Sequence, residues 1–157
     1  MSTWTPTQLQ TITCGTWLVT PGNDDVDVQD ISIDSRSVGP GDGFFAIRGD
    51  RFDGHDFLRS AIEQGASMLI VDRRQPAMNL EEPLVPVLLV DNTVRALQDL
   101  ARAWRAKLRE KGIKVIAVTG SNGKTTARRL IHQALSLQSR GYQSPKSFNN
   151  HLGVPLT

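Results

Sequence analysis

Residues 115–126 constrain the fold of this chain more than any other stretch, because a strand pattern, a glycine turn and a helix pattern follow one another there. The β-branched and apolar residues at 113–119 predict a strand. The glycines of the turn let consecutive backbone N–H groups point at one anion, and the helix that follows adds the positive end of its dipole. Apolar residues at helical spacing predict that helix: Leu130, Ile131, Ala134, Leu135 and Leu137.

This order of elements predicts a phosphate-binding loop. Lys124 can reach the β- and γ-phosphates of ATP, and the hydroxyl of Thr125 can ligate Mg²⁺. Val118 stands where the usual pattern has its first glycine, so an ordinary turn before a helix is the alternative. The predicted nucleotide-binding residues are Gly120, Ser121, Asn122, Gly123, Lys124, Thr125 and Thr126, with Lys124 also the catalytic candidate and Thr125 the metal ligand.

Composition limits the classes of function. The 157 residues suffice for one ordinary domain or two small ones, and a net charge of +2 is too small to favour nucleic acid as a partner. The single cysteine, Cys14, excludes an internal disulfide and a two-cysteine metal site. With neither a signal-peptide pattern nor an apolar run of membrane-spanning length, we expect a cytoplasmic protein without membrane insertion.

Alternating strand and helix patterns predict an α/β fold with parallel strands. A loop at 73–86 contains three prolines and predicts a domain boundary, which divides the chain into residues 1–86 and 87–157. The predicted strands are residues 26–33, 44–47, 68–71, 87–90 and 113–119, and the predicted helices are a short one from Thr5-Pro6 to near Gly15, then 56–65, 93–111 and the helix after the glycine turn.

The C-terminal part predicts a truncated ATPase domain. A nucleotide-hydrolysing fold needs several more strands after its first loop and helix, as well as acidic residues that hold Mg²⁺. The sequence after residue 137 has neither. We therefore expect that the chain is a piece of a longer enzyme.

Over residues 28–157 the chain resembles the Mur ligase family. Thr119 to Thr126 look like that family's ATP loop, which also lacks the first glycine. Phe148-Asn149-Asn150, followed by Gly153 to Thr157, is similar to the branch that adds a D-alanyl-D-alanine dipeptide, although Lys146-Ser147 and His151 depart from that branch's pattern. The N-terminal motifs that carry the resemblance are Asp34-Ser35-Arg36, Gly39-Pro40-Gly41-Asp42, Phe44-Phe45-Ala46-Ile47 and Phe52-Asp53-Gly54-His55-Asp56-Phe57.

The resemblance implies a small UDP-MurNAc-binding domain followed by the first β-α units of a P-loop ATPase domain. It also implies an ATP-dependent amide-bond ligase of peptidoglycan synthesis with ATP and Mg²⁺ as cofactors. ATP would phosphorylate the carboxylate of UDP-MurNAc-tripeptide, and the amine of D-Ala-D-Ala would attack the acyl phosphate. The chain alone is expected to be inactive. The alternatives are a nucleotide-sugar-binding module without turnover and the branch that adds the third amino acid.

The resemblance also suggests substrate-binding residues, each with a structural alternative. Ser35 and Arg36 would contact the uridine diphosphate, or they form an ordinary exposed turn. The segment Phe52, Asp53, Gly54 and His55 would close over the uracil or its ribose. Alternatively, an aspartate caps the following helix and His55 satisfies a backbone group. Asn149 and Asn150 would contact substrate, or they make a turn. No second ligand at suitable spacing supports His55 as a metal ligand.

Overall fold

A five-stranded sheet organises the first part of the chain in the computed structural model, which describes residues 4–22, 27–50, 52–73, 85–144 and 152–156. The strands are β1 (Thr16–Val19), β2 (Ile31–Ser32), β3 (Gly43–Phe45), β4 (Met68–Asp72) and β5 (Val87–Val90). Their spatial order is β1-β5-β4-β3-β2. Strands β2 to β5 are parallel, and β1 lies antiparallel to β5 at one edge.

The described residues form four helices: α1 (Pro6–Thr13), α2 (Leu58–Glu63), α3 (Thr93–Glu110) and α4 (Lys124–Ser136). Short 3₁₀ turns at Ser35–Ser37 and Gly54–Phe57 follow β2 and β3. Helix α1 begins with a reciprocal cap between Thr5 and Gln8, and proline occupies its first turn. The α/β class and the predicted α1, α3 and α4 are confirmed.

The core of the sheet lies around β4, whose five residues are all buried. A parallel strand in the middle of a sheet is covered on both faces, so it reads as a continuous apolar run. Leu69 and Val71 pack with Phe44 of β3 and with Leu58 and Ala61 of α2 in one buried cluster. This cluster attaches α2 to the sheet.

Two predictions for the N-terminal strands need correction. Within the described residues 27–33, the strand predicted at 26–33 is confined to Ile31–Ser32, because its partner β3 pairs with only those two residues. Val28 instead forms an isolated antiparallel bridge with Trp4, with N···O distances of 3.0 and 2.9 Å. Strand β1 was not predicted, because its residues Thr16–Val19 are alternately exposed and half-buried at a sheet edge.

Backbone contacts group the chain into two compact units, Met1–Ala103 and Trp104–Thr157. Strand β5 pairs with β4 on one side and with β1 on the other, so Val87–Val90 belong to the sheet of the first unit. The assignment of residues 1–86 and 87–157 to two family domains stays a prediction.

In the second unit, α4 is formed as predicted, but the strand predicted at 113–119 is wrong. Among the described residues this segment has no strand partner, and a strand needs a neighbour to satisfy its backbone hydrogen bonds. Its apolar side chains are accordingly exposed, with 47% of Ile113 and 56% of Ile116 accessible. No helix in the described part of the chain has the length and apolar character that a membrane span needs.

Candidate functional site

The turn before α4 has the backbone that an anion site requires. Gly120 and Gly123 have φ values of 143° and 75°, which residues with side chains rarely adopt. Gly123 immediately precedes α4, and none of the described side chains forms a capping hydrogen bond there. The first N–H groups of a helix have no partner within it and carry the positive end of its dipole. An anion can therefore replace the missing cap.

Lys124 lies against this turn. It is the first residue of α4 and is half-buried, and its ammonium donates hydrogen bonds to the carbonyl oxygens of Gly120 and Ser121, the latter at 3.1 Å. The fold places its charge beside the start of α4, and both features favour an anion there.

The other predicted loop residues lie on the same turn and the first turn of α4: Ser121, Asn122, Thr125 and Thr126, all of them exposed. The hydroxyl of Thr125 offers one oxygen ligand for Mg²⁺. The described residues contain no group of three or more His, Cys, Asp or Glu that could hold a metal ion. The protein atoms described here therefore fit a phosphate group better than they fit an independent metal site.

A second set of predicted residues follows the parallel strands of the first unit. The 3₁₀ turn with Ser35 and Arg36 follows β2, the segment with Phe52 and His55 follows β3, and Asp72 ends β4. Because parallel strands end at the same edge of a sheet, these segments lie at its carboxyl edge, where open α/β sheets bind ligands. The topology thus brings together two motifs that are distant in sequence.

Arg36 and Ser35 differ in accessibility. Asp34 caps the 3₁₀ turn and accepts hydrogen bonds from Nε and Nη2 of Arg36 at 2.9 and 2.6 Å. The hydrogen bond and the charge of Asp34 raise the pKa of the Arg36 guanidinium, which stays cationic. Arg36 keeps 86% of its side chain exposed, whereas Ser35 is buried. Arg36 is therefore the more accessible of the two for a ligand.

Asp53 caps a turn and His55 satisfies a backbone group, which is the structural alternative that the sequence left open for them. Asp53 caps the 3₁₀ turn Gly54–Phe57 by accepting from the backbone N–H of His55 at 3.0 Å. The ring of His55 is buried, and its Nε2 accepts from the backbone N–H of Asp72 at 3.0 Å. A nitrogen that accepts carries no proton, so Nδ1 is the protonated nitrogen and donates to Asp53 at 2.6 Å.

Phe52 and Gly54 occupy contrasting environments beside this pair. Phe52 exposes 72% of its side chain, which leaves its ring available to a ligand. Gly54 donates to the carbonyl oxygen of Ile47 at 2.8 Å and leaves no room for a side chain. The glycine predicted as a substrate contact is therefore required by packing.

Arg48 belongs to the hydrogen-bond network of Asp53, His55 and Asp72, but sequence reasoning missed it. Its Nε donates to Asp53 at 2.8 Å, and its backbone forms a bridge with Asp53 across the turn at Gly49. The sequence signal that could have found it is a glycine turn, at Gly49, with Arg48 before the turn and Asp53 after it. Asn149 and Asn150 lie outside the described residues, and their roles stay predictions.

The pKa of Asp53 provides a test of this network. Burial on its own raises that pKa, but hydrogen bonds from the backbone and ring of His55 and from Arg48 outweigh it and hold the pKa below its ordinary value. The charged carboxylate therefore stabilises the fold above pH ~4, the ordinary aspartate pKa, and this contribution disappears as pH falls through the lower folded pKa.

We expect Asp53→Asn to lower the free energy of unfolding at about pH 6, with the difference from the wild type shrinking below about pH 4. Urea unfolding at a series of pH values measures it. Asp99→Asn is the matched control, because Asp99 also accepts from an arginine, Arg102, on the exposed side of α3. A difference that does not change with pH contradicts the role of the charge.

Models of two domains of one family match the chain. The model described as Mur ligase family, catalytic domain, matches residues 27–105, and that of the Mur ligase middle domain matches residues 118–157. The chain is similar to the UDP-N-acetylmuramoyl-tripeptide–D-alanyl-D-alanine ligase of Bacillus subtilis, with 41% identity over 140 residues. That match covers 89% of this chain but 29% of the relative, so the chain spans less than a third of that relative's length.

Solved structures show the same likeness. A crystal structure of MurF from Acinetobacter baumannii has a TM-score of 0.83 and 34% identity over 99% of this chain and 32% of that chain. MurF from Thermotoga maritima in complex with ADP has a TM-score of 0.67 and 34% identity over 85% of this chain and 29% of that chain. On the matched domains and these similarities, the chain belongs to the Mur ligase family.

Proposed function

We propose that this chain is the N-terminal part of an ATP-dependent ligase that joins D-Ala-D-Ala to UDP-MurNAc-tripeptide in peptidoglycan synthesis, a cytoplasmic reaction. The similarity to the Bacillus subtilis ligase supports the reaction, and the ADP complex of the Thermotoga maritima protein supports a nucleotide. The observation that carries the proposal is the uncapped N-terminus of α4 with Lys124 folded onto its turn. Turnover is assigned to the complete ligase rather than to this chain alone.

Different groups of the loop would bind different parts of ATP and Mg²⁺. The backbone N–H groups at the start of α4 would bind phosphate oxygens, and Gly120 and Gly123 permit the turn that presents them. The Lys124 ammonium would offset charge on the transferred group, and Thr125 would offer its hydroxyl to Mg²⁺. When bound, ATP supplies the phosphoryl group that activates a carboxylate, and Mg²⁺ supplies positive charge that offsets the negative charge of the phosphates.

The carboxyl edge of the first sheet is the proposed site of the UDP part of the substrate. Arg36 supplies a cation, and the exposed ring of Phe52 supplies an apolar face at the same edge of the sheet. A diphosphate favours guanidinium groups, and a nucleobase favours a flat apolar surface. These two features distinguish this edge from the phosphate loop in the second unit.

Titrating UDP-MurNAc into the isotopically labelled chain tests this assignment. We expect amide shifts at residues 33–36 and 48–56, with a dissociation constant from high micromolar to millimolar, because only part of the ligand is buried. Arg36→Ala should weaken the binding severalfold. Arg59→Ala serves as the control, since Arg59 is equally exposed and pairs with Glu63 on α2.

Each outcome separates the proposal from its alternatives. Shifts confined to residues 119–126 would mean that the nucleotide-sugar does not bind the first unit. Binding of UDP-MurNAc by the chain, combined with a complete gene product that releases no phosphate from ATP, would favour a binding module without turnover. A complete ligase that accepts a free third amino acid rather than D-Ala-D-Ala would place the chain in the other branch.

A further inference from the structure

The segment after β3 carries a chain of contacts from the buried interior to the exposed edge. It runs from the backbone of Asp72 through His55 and Asp53 to the guanidinium of Arg48. We propose that Asp53 and His55 are positioning residues that hold Arg48 at the carboxyl edge, ready to bind the diphosphate of a nucleotide-sugar. This inference rests on the proposed function, which places the UDP part of the substrate at this edge.

His55 is the fixed point of the chain of contacts. Its side chain is 3% exposed, and both ring nitrogens are bonded, Nε2 to the N–H of Asp72 and Nδ1 to Asp53. Asp72 is the last residue of β4, all five of whose residues are buried. The ring therefore links the backbone of β4 to the carboxylate of Asp53, and its two hydrogen bonds fix which ring nitrogen donates.

Asp53 uses its two oxygens for different tasks. Oδ1 accepts from the backbone N–H and from the ring of His55, whereas Oδ2 accepts from Nε of Arg48 at 2.8 Å. The interior contacts therefore fix one side of the carboxylate, and the other side orients the arginine. A single change from Asp53 to asparagine keeps an oxygen for His55 but replaces the acceptor that faces Arg48.

Arg48 differs from the other two arginines described near this edge in how it is held. Half of its side chain is exposed, yet its aspartate is only 22% exposed and is bound to the buried ring. Arg36 is 86% exposed, and Arg73, half-exposed like Arg48, donates to Asp91, which is 90% exposed, and to the hydroxyl of Thr16 at 3.0 Å. Ion pairs at exposed sites hold a long side chain weakly. Ordering an arginine before binding lowers the entropy lost when the ligand arrives.

The backbone around Arg48 is held as well. Gly49 donates to the carbonyl oxygen of Phe52 at 2.9 Å, and Gly54 donates to that of Ile47 at 2.8 Å. The turn therefore closes on itself and then onto the end of β3. Such a turn presents Arg48 and the exposed ring of Phe52 close together in sequence. A nucleoside diphosphate offers matching groups, a charged diphosphate for the arginine and a flat base for the ring.

The test is a double-mutant cycle on the whole chain, with UDP-MurNAc as the probe and amide shifts as the readout. We expect Arg48→Ala to weaken binding about tenfold and Asp53→Asn to weaken it about three- to tenfold. The double variant should bind no more weakly than Arg48→Ala, because Asp53 acts only through Arg48. Asp99→Asn should bind like the wild type, since its arginine pair lies on α3.

Two further measurements separate positioning from a general loss of structure. Arg48→Ala leaves the cap and the His55 bonds in place, so it keeps the test valid if Asp53→Asn unfolds. The Nε–H signal of Arg48 should be distinct in the ligand-free wild type and should collapse toward that of exposed arginines in Asp53→Asn.

The outcomes are distinguishable. Wild-type binding that is unchanged in Arg48→Ala and Asp53→Asn, or losses that simply add in the double variant, overturn the positioning role and leave the proposed function standing. A wild-type chain that binds no UDP-MurNAc at millimolar concentration overturns the proposed site and the positioning role with it.

Discussion

Replacing Lys124 by alanine is expected to lower kcat/KM of the complete ligase at least a hundredfold, a loss of roughly 3 kcal/mol in transition-state stabilisation. The ammonium already lies on the turn before α4, bound to the carbonyl oxygens of Gly120 and Ser121. A charge placed in advance need not reorganise as the phosphoryl group transfers, and this is why its removal is costly. Phosphate release that depends on UDP-MurNAc-tripeptide and D-Ala-D-Ala measures the effect.

Lys114→Ala is the matched control, because Lys114 is an exposed lysine of the same unit outside the loop. Its kcat/KM should be that of the wild type. The hydrogen bonds of Lys124 to the turn raise a competing explanation, in which the lysine only maintains the loop. Thermal melts and the amide spectrum of the ligand-free variant decide between them. Wild-type kcat/KM rejects the catalytic role, and a lost melting transition shows that Lys124 is structural.

Elements with strong local signals were predictable from sequence. Helix α1 begins where Thr5, Pro6 and Gln8 provide a cap and a preset backbone angle, and these contacts depend on neighbouring residues alone. Strand β4 was equally clear, because a short apolar run rich in β-branched residues suits a strand that is buried on both faces. In both cases local chemistry and tertiary packing favour the same structure.

Elements that depend on distant partners were predicted poorly. Strand β1 exists because Thr16 and Trp17 pair with Leu89 and Leu88, about seventy residues later in the chain. The segment 113–119 has a strand-like composition, but it forms no strand among the described residues because no neighbour pairs with it. The place of β5 in the first sheet also depends on a distant partner, since its own sequence does not show that it pairs with β4.

The candidate site shows the same division. The glycine turn and the position of Lys124 at the start of α4 were predictable, because both depend on a continuous stretch of backbone. The roles of Asp53 and His55 stayed open between capping and binding, since the choice depends on Asp72, seventeen residues further along the chain. Arg48 was not recognised, because only the turn at Gly49 reveals that it faces Asp53.

Gly54→Ala is expected to destabilise the first unit by roughly 3 kcal/mol, the upper part of the range for overpacking. A Cβ atom at this position would lie 2.6 Å from the backbone nitrogen of Ile47, 2.9 Å from its oxygen and 3.0 Å from the carbonyl carbon of Ala46. These are backbone atoms, so no side-chain rotation relieves the clash. The effect should appear as a lower urea midpoint with the same slope.

The backbone that receives the clash is anchored on both sides. The N–H of Ala46 donates to Ile70 of β4 at 2.9 Å, and its carbonyl oxygen accepts from the hydroxyl of Thr93 at 2.9 Å. Moving this segment to admit a methyl group therefore breaks buried hydrogen bonds, each worth about 1 kcal/mol. Gly22→Ala is the control, because a Cβ there meets no atom within 4 Å, and its stability should change by less than about 0.5 kcal/mol. If Gly54→Ala melts like the wild type and loses only UDP-MurNAc binding, the glycine serves the ligand rather than the fold.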